Sequence, residues 1–381
     1  MLSFGRKTRM KLIYLANSRI PTEKAHGIQI MKTCEAFADQ GAEVVLLTPR
    51  RFNSVRDDPF VYYGVKRNFT IKKLPTLDLI FADKLLGRFP FWLATTTFLL
   101  AAKIYLAGKE YDALYSREQR AGRFFRNYHL EIHRLPAKIK SGHKKIWRQA
   151  KTLVTINNYL KEKLIDEGVK ADKILVAPDG VDLAKFDIAL TKQEARARLE
   201  LPEDKKIVLY AGHLYAWKGA DILAQAAREL GQDILTVFVG GLEEDVKKFQ
   251  EKYGDEENIL ILGKKPHSQI PLYLKAADVL VLPNSAQEEI SKFYTSPMKL
   301  FEYMAADRPI VASDLPSIRE ILNEENAVLV VADKSAELAE TIKIALRNET
   351  AMVEVANQAL EDIKKYDWAK RARKIIDFLH R

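Results

Sequence analysis

Short apolar runs alternate with amphipathic segments along most of the chain, and this alternation predicts parallel strands joined by helices. Near the start, the run LIYLA predicts a strand, and a polar loop ending at Gly27 follows it. The next residues are apolar at a spacing near 3.6 and stop at Gly41, which predicts a helix. The run VVLLT then predicts a second strand. Residues 11–48 therefore read as one βαβ unit.

Residues 207–241 repeat this order, with the strand IVLYAG, the loop HLYAWKG, a helix from Gly219 to about Leu230, and the strand LTVFVGG. Each copy opens a half of about 180 residues, and the chain of 381 residues is too long for one ordinary hydrophobic core. We predict an α/β protein of two Rossmann-like, doubly wound parallel-sheet domains facing a central cleft. The turn-rich segment 177–187 and the polar segment after it place the boundary near 190, giving domains 1–190 and 191–365. Further strands are predicted at ALYS, VTIN, ILVAP, ILILG, DVLVLP, PIVAS and AVLVVA.

The most apolar segment, FPFWLATTTFLLAAKIYLAG (89–108), is long enough to be considered as a membrane helix. Lys103 and three consecutive threonines weaken that interpretation. A helix buried between the sheet and its neighbours has the same composition, and so does an interfacial helix.

Charge is distributed unevenly between the predicted domains. Residues 1–190 carry 34 Lys and Arg against 19 Asp and Glu, a balance of +15, whereas residues 191–381 carry 27 against 32. A basic first half suggests an anionic partner, such as a lipid surface, an acidic glycan or nucleic acid, although a basic surface also aids solubility. Nucleic acid is disfavoured because no RRM, KH or helix-turn-helix signature accompanies the charge.

The remaining composition fits a cytoplasmic globular protein. The single cysteine, Cys34, excludes an internal disulfide framework and a multi-cysteine zinc site. The N-terminal apolar run is too short for a signal peptide, and the nine residues before Met10 are predicted to be a disordered extension. The histidines are scattered, so we predict no metal site and no cofactor.

Ligands of open α/β sheets bind beyond the carboxyl ends of strands, where helix N-termini favour anions. The loop 211–219 combines Gly212, which allows close backbone approach, with the cations His213 and Lys218. Neither a Walker A loop nor GxGxxG is present. We therefore predict a phosphate-binding loop that is not of the nucleotide-hydrolysing kind, with a solvated surface lysine as the alternative for Lys218.

A second informative loop follows the strand DVLVLP and opens another helix. Thr295 or Ser296 can cap that helix, and Pro297 suits its first position. Glu302 then lies among apolar residues, where an unsatisfied carboxylate is costly. A ribose diol would satisfy it with two hydroxyl donors. The alternative is a salt bridge to a neighbouring Lys or Arg.

These residues resemble family 4 of the retaining glycosyltransferases, which have the GT-B fold. The resemblance covers nearly the whole chain and rests on residues 25–48, 174–187, 211–223, 277–283, 296–320 and 366–379. It implies transfer of a sugar from a nucleotide-diphosphate sugar to an acceptor hydroxyl, with no metal requirement. It also implies that the last helix, within 366–381, returns to the first domain.

The resemblance implies residue roles as well. His213 and Lys218 match the basic pair on the donor diphosphate, and Glu302 matches the glutamate that holds the donor ribose. The remaining matches are the amides around Thr295, Ser296 and Met298 at the distal phosphate and sugar, Gly27 near the diphosphate and acceptor, and His133 at the reaction centre.

Two positions depart from the family pattern. Tyr294 stands where the first glutamate of the E-x7-E element is expected, and Glu288 and Glu289 could replace it only by a loop excursion. His213 stands in place of the usual arginine, which weakens phosphate binding unless Lys299 or an arginine of the first domain compensates.

From the residues and the resemblance together we expect a retaining, metal-independent hexosyltransferase. Its acceptor is expected to be a lipid-linked glycan or polysaccharide of the cell envelope, reached in the cytoplasm or at the inner face of an anionic membrane. A nucleotide-sugar epimerase of the same fold and a non-catalytic glycan- or partner-binding relative remain as alternatives.

Overall fold

A computed structural model of the protein describes residues 9–79 and 87–380. The chain divides into two compact units, one of residues 1–177 and 368–381 and the other of residues 178–367. The predicted disordered extension before Met10 lies almost wholly outside the described residues. Each unit contains one parallel β-sheet flanked by helices, which confirms the predicted α/β class.

Unit 1 contains a seven-stranded sheet in the order β3-β2-β1-β4-β5-β6-β7, with every pairing parallel. Its strands are β1 Lys11–Leu15, β2 Glu43–Pro49, β3 Thr70–Leu74, β4 Ala113–Ser116, β5 Tyr128–Ile132, β6 Leu153–Thr155 and β7 Ile174–Val176. Its helices are α1 Ala25–Asp39, α2 Pro59–Tyr63, α3 Phe89–Leu106, α4 Ser141–Gln149, α5 Asn158–Asp166 and, from the end of the chain, α16 Trp368–Leu379. The predicted βαβ unit at 11–48 is β1-α1-β2.

Unit 2 contains a six-stranded parallel sheet in the order β10-β9-β8-β11-β12-β13. Its strands are β8 Lys206–Ala211, β9 Ile234–Val239, β10 Ile259–Gly263, β11 Val279–Leu282, β12 Ile310–Ser313 and β13 Val328–Val330. Its helices are α6 Leu183–Phe186, α7 Lys192–Leu199, α8 Ala220–Ala227, α9 Glu243–Tyr253, α10 Ile270–Ala276, α11 Glu289–Phe293, α12 Met298–Met304, α13 Pro316–Arg319, α14 Ser335–Arg347 and α15 Glu349–Asp362.

The strands of unit 2 are apolar on both faces because helices cover both sides of the sheet. Leu209 of β8 packs into one hydrophobic core, whereas its neighbours Val208 and Tyr210 pack into the other. Both cores are dominated by fully buried aliphatic and aromatic side chains. This arrangement fixes the orientation of β8 and β11, whose carboxyl ends carry the candidate site.

The division between the units falls before Pro178, whereas the sequence suggested a boundary near 190. The difference has a packing cause, since Val181 and Phe186 belong to the core of unit 2. Val181 also forms a β-bridge with Asp367, the last residue of that unit. The turn-rich segment that looked like the end of the first domain therefore begins the second.

Helix α3 is buried on one side and exposed on the other. Seven of its residues are buried, and they lie along one side: Pro90, Ala94, Thr95, Phe98, Leu99, Ala102 and Leu106. This side contacts β2 and β3. Among the described residues, α3 is the one helix long and apolar enough to cross a membrane by composition, although a large part of it is packed against the sheet.

Candidate functional site

Two loops of unit 2 meet at the point where its strand order reverses. Residues 212–219 follow β8, and residues 283–297 follow the neighbouring strand β11. The Ser285 amide donates to the Trp217 carbonyl at 3.1 Å. A Cβ added to Gly219, whose φ is +74°, would lie 1.7 Å from the Pro283 carbonyl oxygen. The two loops are therefore in direct backbone contact at the place where open α/β sheets bind ligands.

Lys218 lies in the first loop, at the end of a 3-10 turn and just before α8. Its Nζ is 4.3 Å from the centre of the Trp217 ring. Desolvation lowers the pKa of Lys218 to about 8, and the nearby charge of Glu302 opposes that shift only in part. Lys218 is half-buried and partly desolvated, so it differs from a fully solvated surface lysine.

Lys299, in the first turn of α12, is buried. Its Nζ lies 3.9 Å from the centre of the Tyr210 ring, and a Cβ on Gly212 would be 3.8 Å from the same atom. Within the described residues, Nζ has no hydrogen-bond partner. Burial lowers the pKa of Lys299 well below its usual range, the charge of Lys218 lowers it further, and Glu302 opposes both effects.

Glu302 also lies on α12, and only 13% of its side chain is exposed. Its Oε1 is 2.8 Å from Nε2 of His267, which follows the end of β10. The residue that pairs with Glu302 is thus a histidine rather than a lysine or arginine. The carboxylate interacts electrostatically with both Lys218 and Lys299, so the three groups form one cluster.

The cluster is suited to a phosphate-bearing ligand. Two poorly hydrated amines share one carboxylate, so an anion that enters would relieve their mutual repulsion and restore their charged forms. Helix α8 starts beside Lys218, and no side chain in the described part of unit 2 caps it. Its free amides and its dipole favour negative charge at the same place.

The other residues predicted in unit 2 lie around this cluster. Gly212 has a φ of +145° and contacts the Lys299 side chain. The His213 ring stacks on Tyr215 with centroids 5.0 Å apart, and its carbonyl accepts a hydrogen bond from the Tyr210 hydroxyl. Tyr210 thus contacts both the first loop, through His213, and the Lys299 ammonium.

The predicted capping of α12 is wrong. Pro297 occupies the cap position, and no side chain there bonds to the helix start. Pro297 has an extended backbone, and the Ser296 hydroxyl instead accepts a hydrogen bond from the Asp179 amide at 3.2 Å. Thr295 is buried, and Met298 begins the helix half-buried. The segment is thus held by contacts other than a cap.

Tyr294 ends the short helix α11, and the two acidic residues considered as substitutes for the missing glutamate lie at the other end of that helix. Both Glu288 and Glu289 are exposed. Their recruitment to the cluster stays a hypothesis.

Two predicted residues belong to unit 1. Gly27 lies in the first turn of α1, where a Cβ would be 2.1 Å from the Tyr63 hydroxyl. Packing alone therefore requires glycine there. His133 follows β5, and its Nε2 is 2.9 Å from Oε1 of the buried Glu131. Their proposed places near the diphosphate, acceptor and reaction centre stay predictions.

Glu131 is a residue that the sequence reasoning did not single out. Gln29 and Arg371 donate to its Oε1 at 2.8 and 2.5 Å, and Tyr14 donates to its Oε2. Burial by itself would raise the pKa of Glu131, but Arg371 and His133 hold it well below its usual range. Glu131 thus stays ionised and orients His133.

His267 is the other functional residue that was missed. A single histidine in the segment PHSQ carries no motif, although its position beyond the end of the strand ILILG was a usable signal. Its contact with Glu302 joins the turn after β10 to helix α12, which lies 35 residues further along the chain.

Comparison with known proteins finds similarity over the segment that contains this site. Residues 191–374 match the family model described as glycosyl transferases group 1. The chain is 25% identical over 222 residues to D-inositol 3-phosphate glycosyltransferase of Xylanimonas cellulosilytica, covering 55% of this chain and 52% of that protein. It is 31% identical over 180 residues to phosphatidyl-myo-inositol mannosyltransferase of Mycobacterium leprae, covering 46% of each. The matches span about half the length of these relatives.

Solved structures resemble the chain over nearly all of its length. HepE of Anabaena, crystallised with UDP, has a TM-score of 0.75 and 17% identity, covering 97% of this chain and 100% of that one. Sucrose-phosphate synthase of Thermosynechococcus elongatus has a TM-score of 0.76 and 19% identity, covering 97% and 98%. Identities this low establish the fold alone. Together with the two parallel sheets, they assign the GT-B fold.

Proposed function

We propose that the protein is a retaining glycosyltransferase that moves a sugar from a nucleoside-diphosphate sugar to an acceptor hydroxyl. The observation that carries this proposal is the cluster of Lys218, Lys299 and Glu302 at the strand-order reversal of unit 2. The cluster lies inside the segment that matches the glycosyl transferases group 1 model. The names of the relatives support the reaction class.

In the proposed donor complex, Lys218 and Lys299 bind the diphosphate. Lys299 supplies the positive charge that the family arginine would provide at position 213, since its Nζ is buried next to Gly212 and has no hydrogen-bond partner among the described residues. His213 contributes according to its protonation, and backbone amides around Thr295, Ser296 and Met298 complete the set. Glu302 accepts hydrogen bonds from the donor ribose, with His267 holding its other oxygen.

Catalysis on this proposal is mainly electrostatic. As the bond between the anomeric carbon and the phosphate oxygen breaks, negative charge builds on the diphosphate, and the two lysines and the start of α8 stabilise it. The acceptor oxygen forms the new bond on the same face, and its proton passes to the departing phosphate oxygen. Retention follows from this front-face geometry. These protein cations take over the charge stabilisation that a metal ion provides in other transferases, so we propose that no metal ion is required.

The acceptor that we propose is a lipid-linked glycan or a polysaccharide of the cell envelope, used in the cytoplasm or at the inner face of a membrane. The relatives support this class, because their names include an inositol phospholipid mannosyltransferase and an amylovoran biosynthesis glycosyltransferase. The excess of basic residues in 1–190 supports an acceptor that is anionic or lies at an anionic surface.

The proposal is tested by a thermal-shift screen of UDP, GDP, ADP and their sugars. We expect one base to stabilise the protein, because a ligand that binds only the folded state raises the unfolding temperature. UDP and UDP-glucose are the first probes, since HepE was crystallised with both. Absence of stabilisation by every nucleotide would favour the non-catalytic alternative, and a new sugar isomer from donor alone would favour the epimerase.

Binding of the preferred nucleoside diphosphate is also expected to weaken as pH rises from about 7.5 to 9. The ammonium of free Lys218 titrates with a pKa of about 8, so above that pH the anion must first restore a proton. The affinity should fall by up to tenfold per pH unit, as measured by calorimetry. In Lys218→Arg the guanidinium keeps its charge, so its profile should be flatter. The same decline in that variant would contradict the assignment.

A further inference from the structure

The outward side of α3 is apolar, and its large side chains are exposed in the part of the chain that the structure describes. Its most exposed large side chains are Phe89, Trp92, Leu100 and Ile104, with exposed fractions of 54, 48, 45 and 75%. At 100° per residue these four positions fall within about a third of the helix circumference. Phe89 and Trp92 stack on each other, with centroids 6.3 Å apart. The helix thus presents a continuous apolar stripe to the outside, which we call the α3 stripe.

The threonines do not make this stripe polar. Thr96 lies within it, and its hydroxyl donates to the Trp92 carbonyl at 2.9 Å. Thr95 and Thr97 bond in the same way to carbonyls four residues earlier. A hydroxyl satisfied by its own helix needs no water, so Thr96 offers mainly its methyl group. The triplet that weakened a membrane interpretation of the sequence is therefore compatible with an apolar surface.

The charged side chains that the structure describes on α3 and at its first end are positive. Helix α3 contains no Asp or Glu. Lys103 lies in the stripe between Leu100 and Ile104, and the exposed Arg88 precedes the helix. An apolar strip that carries a cation within it and another at its end is typical of a helix that lies in the plane of an anionic lipid surface.

The charge distribution favours lipid over a second copy of the chain. Two copies meeting through this surface would bring Arg88 and Lys103 of each close to the same residues of the other, whereas anionic headgroups would attract them. A membrane-spanning position is excluded because the other side of α3 is packed on β2 and β3. The helix can only lie flat, with its outer side chains at the depth of the headgroups.

We propose that the α3 stripe docks unit 1 on an anionic membrane surface, with Phe89, Trp92, Leu100 and Ile104 inserted and Arg88 and Lys103 bound to lipid headgroups. This inference rests on the proposed function in one respect: docking would bring a transferase to a lipid-linked acceptor. The docking itself requires neither donor nor acceptor.

The test is flotation of the full-length protein with vesicles of phosphatidylcholine alone or mixed with phosphatidylglycerol. The wild type should bind the mixed vesicles, and binding should weaken with salt. The double variant Trp92→Ser/Ile104→Ser should lose at least about tenfold in partitioning, since two large side chains no longer leave water. The matched control Ile344→Ser/Val353→Ser removes two apolar side chains of unit 2 that are each more than half exposed, and it should bind as the wild type does.

Three outcomes would overturn the inference. These are absence of wild-type binding to the mixed vesicles, equal loss in both double variants, and a concentration-dependent dimer that disappears only in the α3 variant. Nucleotide-induced thermal shift is measured on the same samples. If the α3 variant loses vesicle binding but keeps the thermal shift, the α3 stripe acts in docking and not in nucleotide binding. If the wild type binds vesicles but shows no thermal shift, the docking proposal holds and the proposed transferase function is refuted.

Discussion

Lys218→Ala and Glu302→Ala will each abolish the thermal shift that the preferred nucleoside diphosphate gives the wild type, with the fold intact. A charge-assisted contact contributes about 1.5–3 kcal/mol, so each loss should weaken binding by roughly tenfold to a hundredfold. On the proposed function, Lys218→Ala removes a contact to the diphosphate and Glu302→Ala a contact to the ribose. Ligand is supplied near the wild-type Kd, where such a loss removes the shift.

The controls separate binding from folding. Lys248→Ala removes an exposed lysine of α9 and should leave the shift unchanged. His267→Gln keeps a hydrogen-bond donor beside Glu302 and should bind better than Glu302→Ala. Circular dichroism and the unliganded melting temperature should match the wild type. Unchanged nucleotide affinity in both Lys218→Ala and Glu302→Ala would refute the site.

Gly219→Ala will be the most damaging single methyl addition in unit 2. The new Cβ would lie 1.7 Å from the Pro283 carbonyl oxygen, and φ at this position is +74°, which alanine rarely adopts. The two loops must separate, at a cost of about 3 kcal/mol or more. Thermal unfolding should therefore begin roughly 6–12 °C lower, and nucleotide binding should be lost with it.

Gly142→Ala is the matched control for this change. Gly142 lies within α4, and the nearest atom to its added Cβ is 3.7 Å away on the Arg123 side chain. Alanine there should be neutral or slightly stabilising, since it restricts the unfolded chain. A wild-type unfolding temperature for Gly219→Ala would mean that the contact between the two loops is absent in solution.

Most strands could be predicted because parallel strands that helices cover on both faces consist of unbroken apolar runs, such as IVLYAG at β8. Strands β3 and β5 were not predicted, and in β3 the sequence TIKKL is half polar. Strand β3 is an edge strand of its sheet, and Lys72 and Lys73 are exposed there. An edge strand needs fewer apolar residues, so its pattern resembles that of a loop.

The residues of the candidate site could be predicted where a single segment carried a recognisable pattern. They could not be predicted where the contact joins segments far apart in sequence. Lys218, Lys299 and Glu302 stand in segments that follow strands, so the rule for α/β sheets finds them. His267 acts through Glu302, and Glu131 is held by Arg371 from 240 residues away. Such pairings depend on the tertiary structure, and no local pattern in a single sequence indicates them.

The return of α16 to unit 1 sets an order for biosynthesis. Unit 2 is a continuous stretch, so it can close once residue 367 has left the ribosome, whereas unit 1 must wait for Arg371 to reach the buried carboxylate of Glu131. Until then the Glu131 carboxylate would lack the guanidinium of its ion pair and keep only Gln29, Tyr14 and His133, and breaking a buried pair in this way costs several kcal/mol. The domain begun first is therefore finished last, and a nascent chain stalled short of its final helix would be a natural substrate for chaperones.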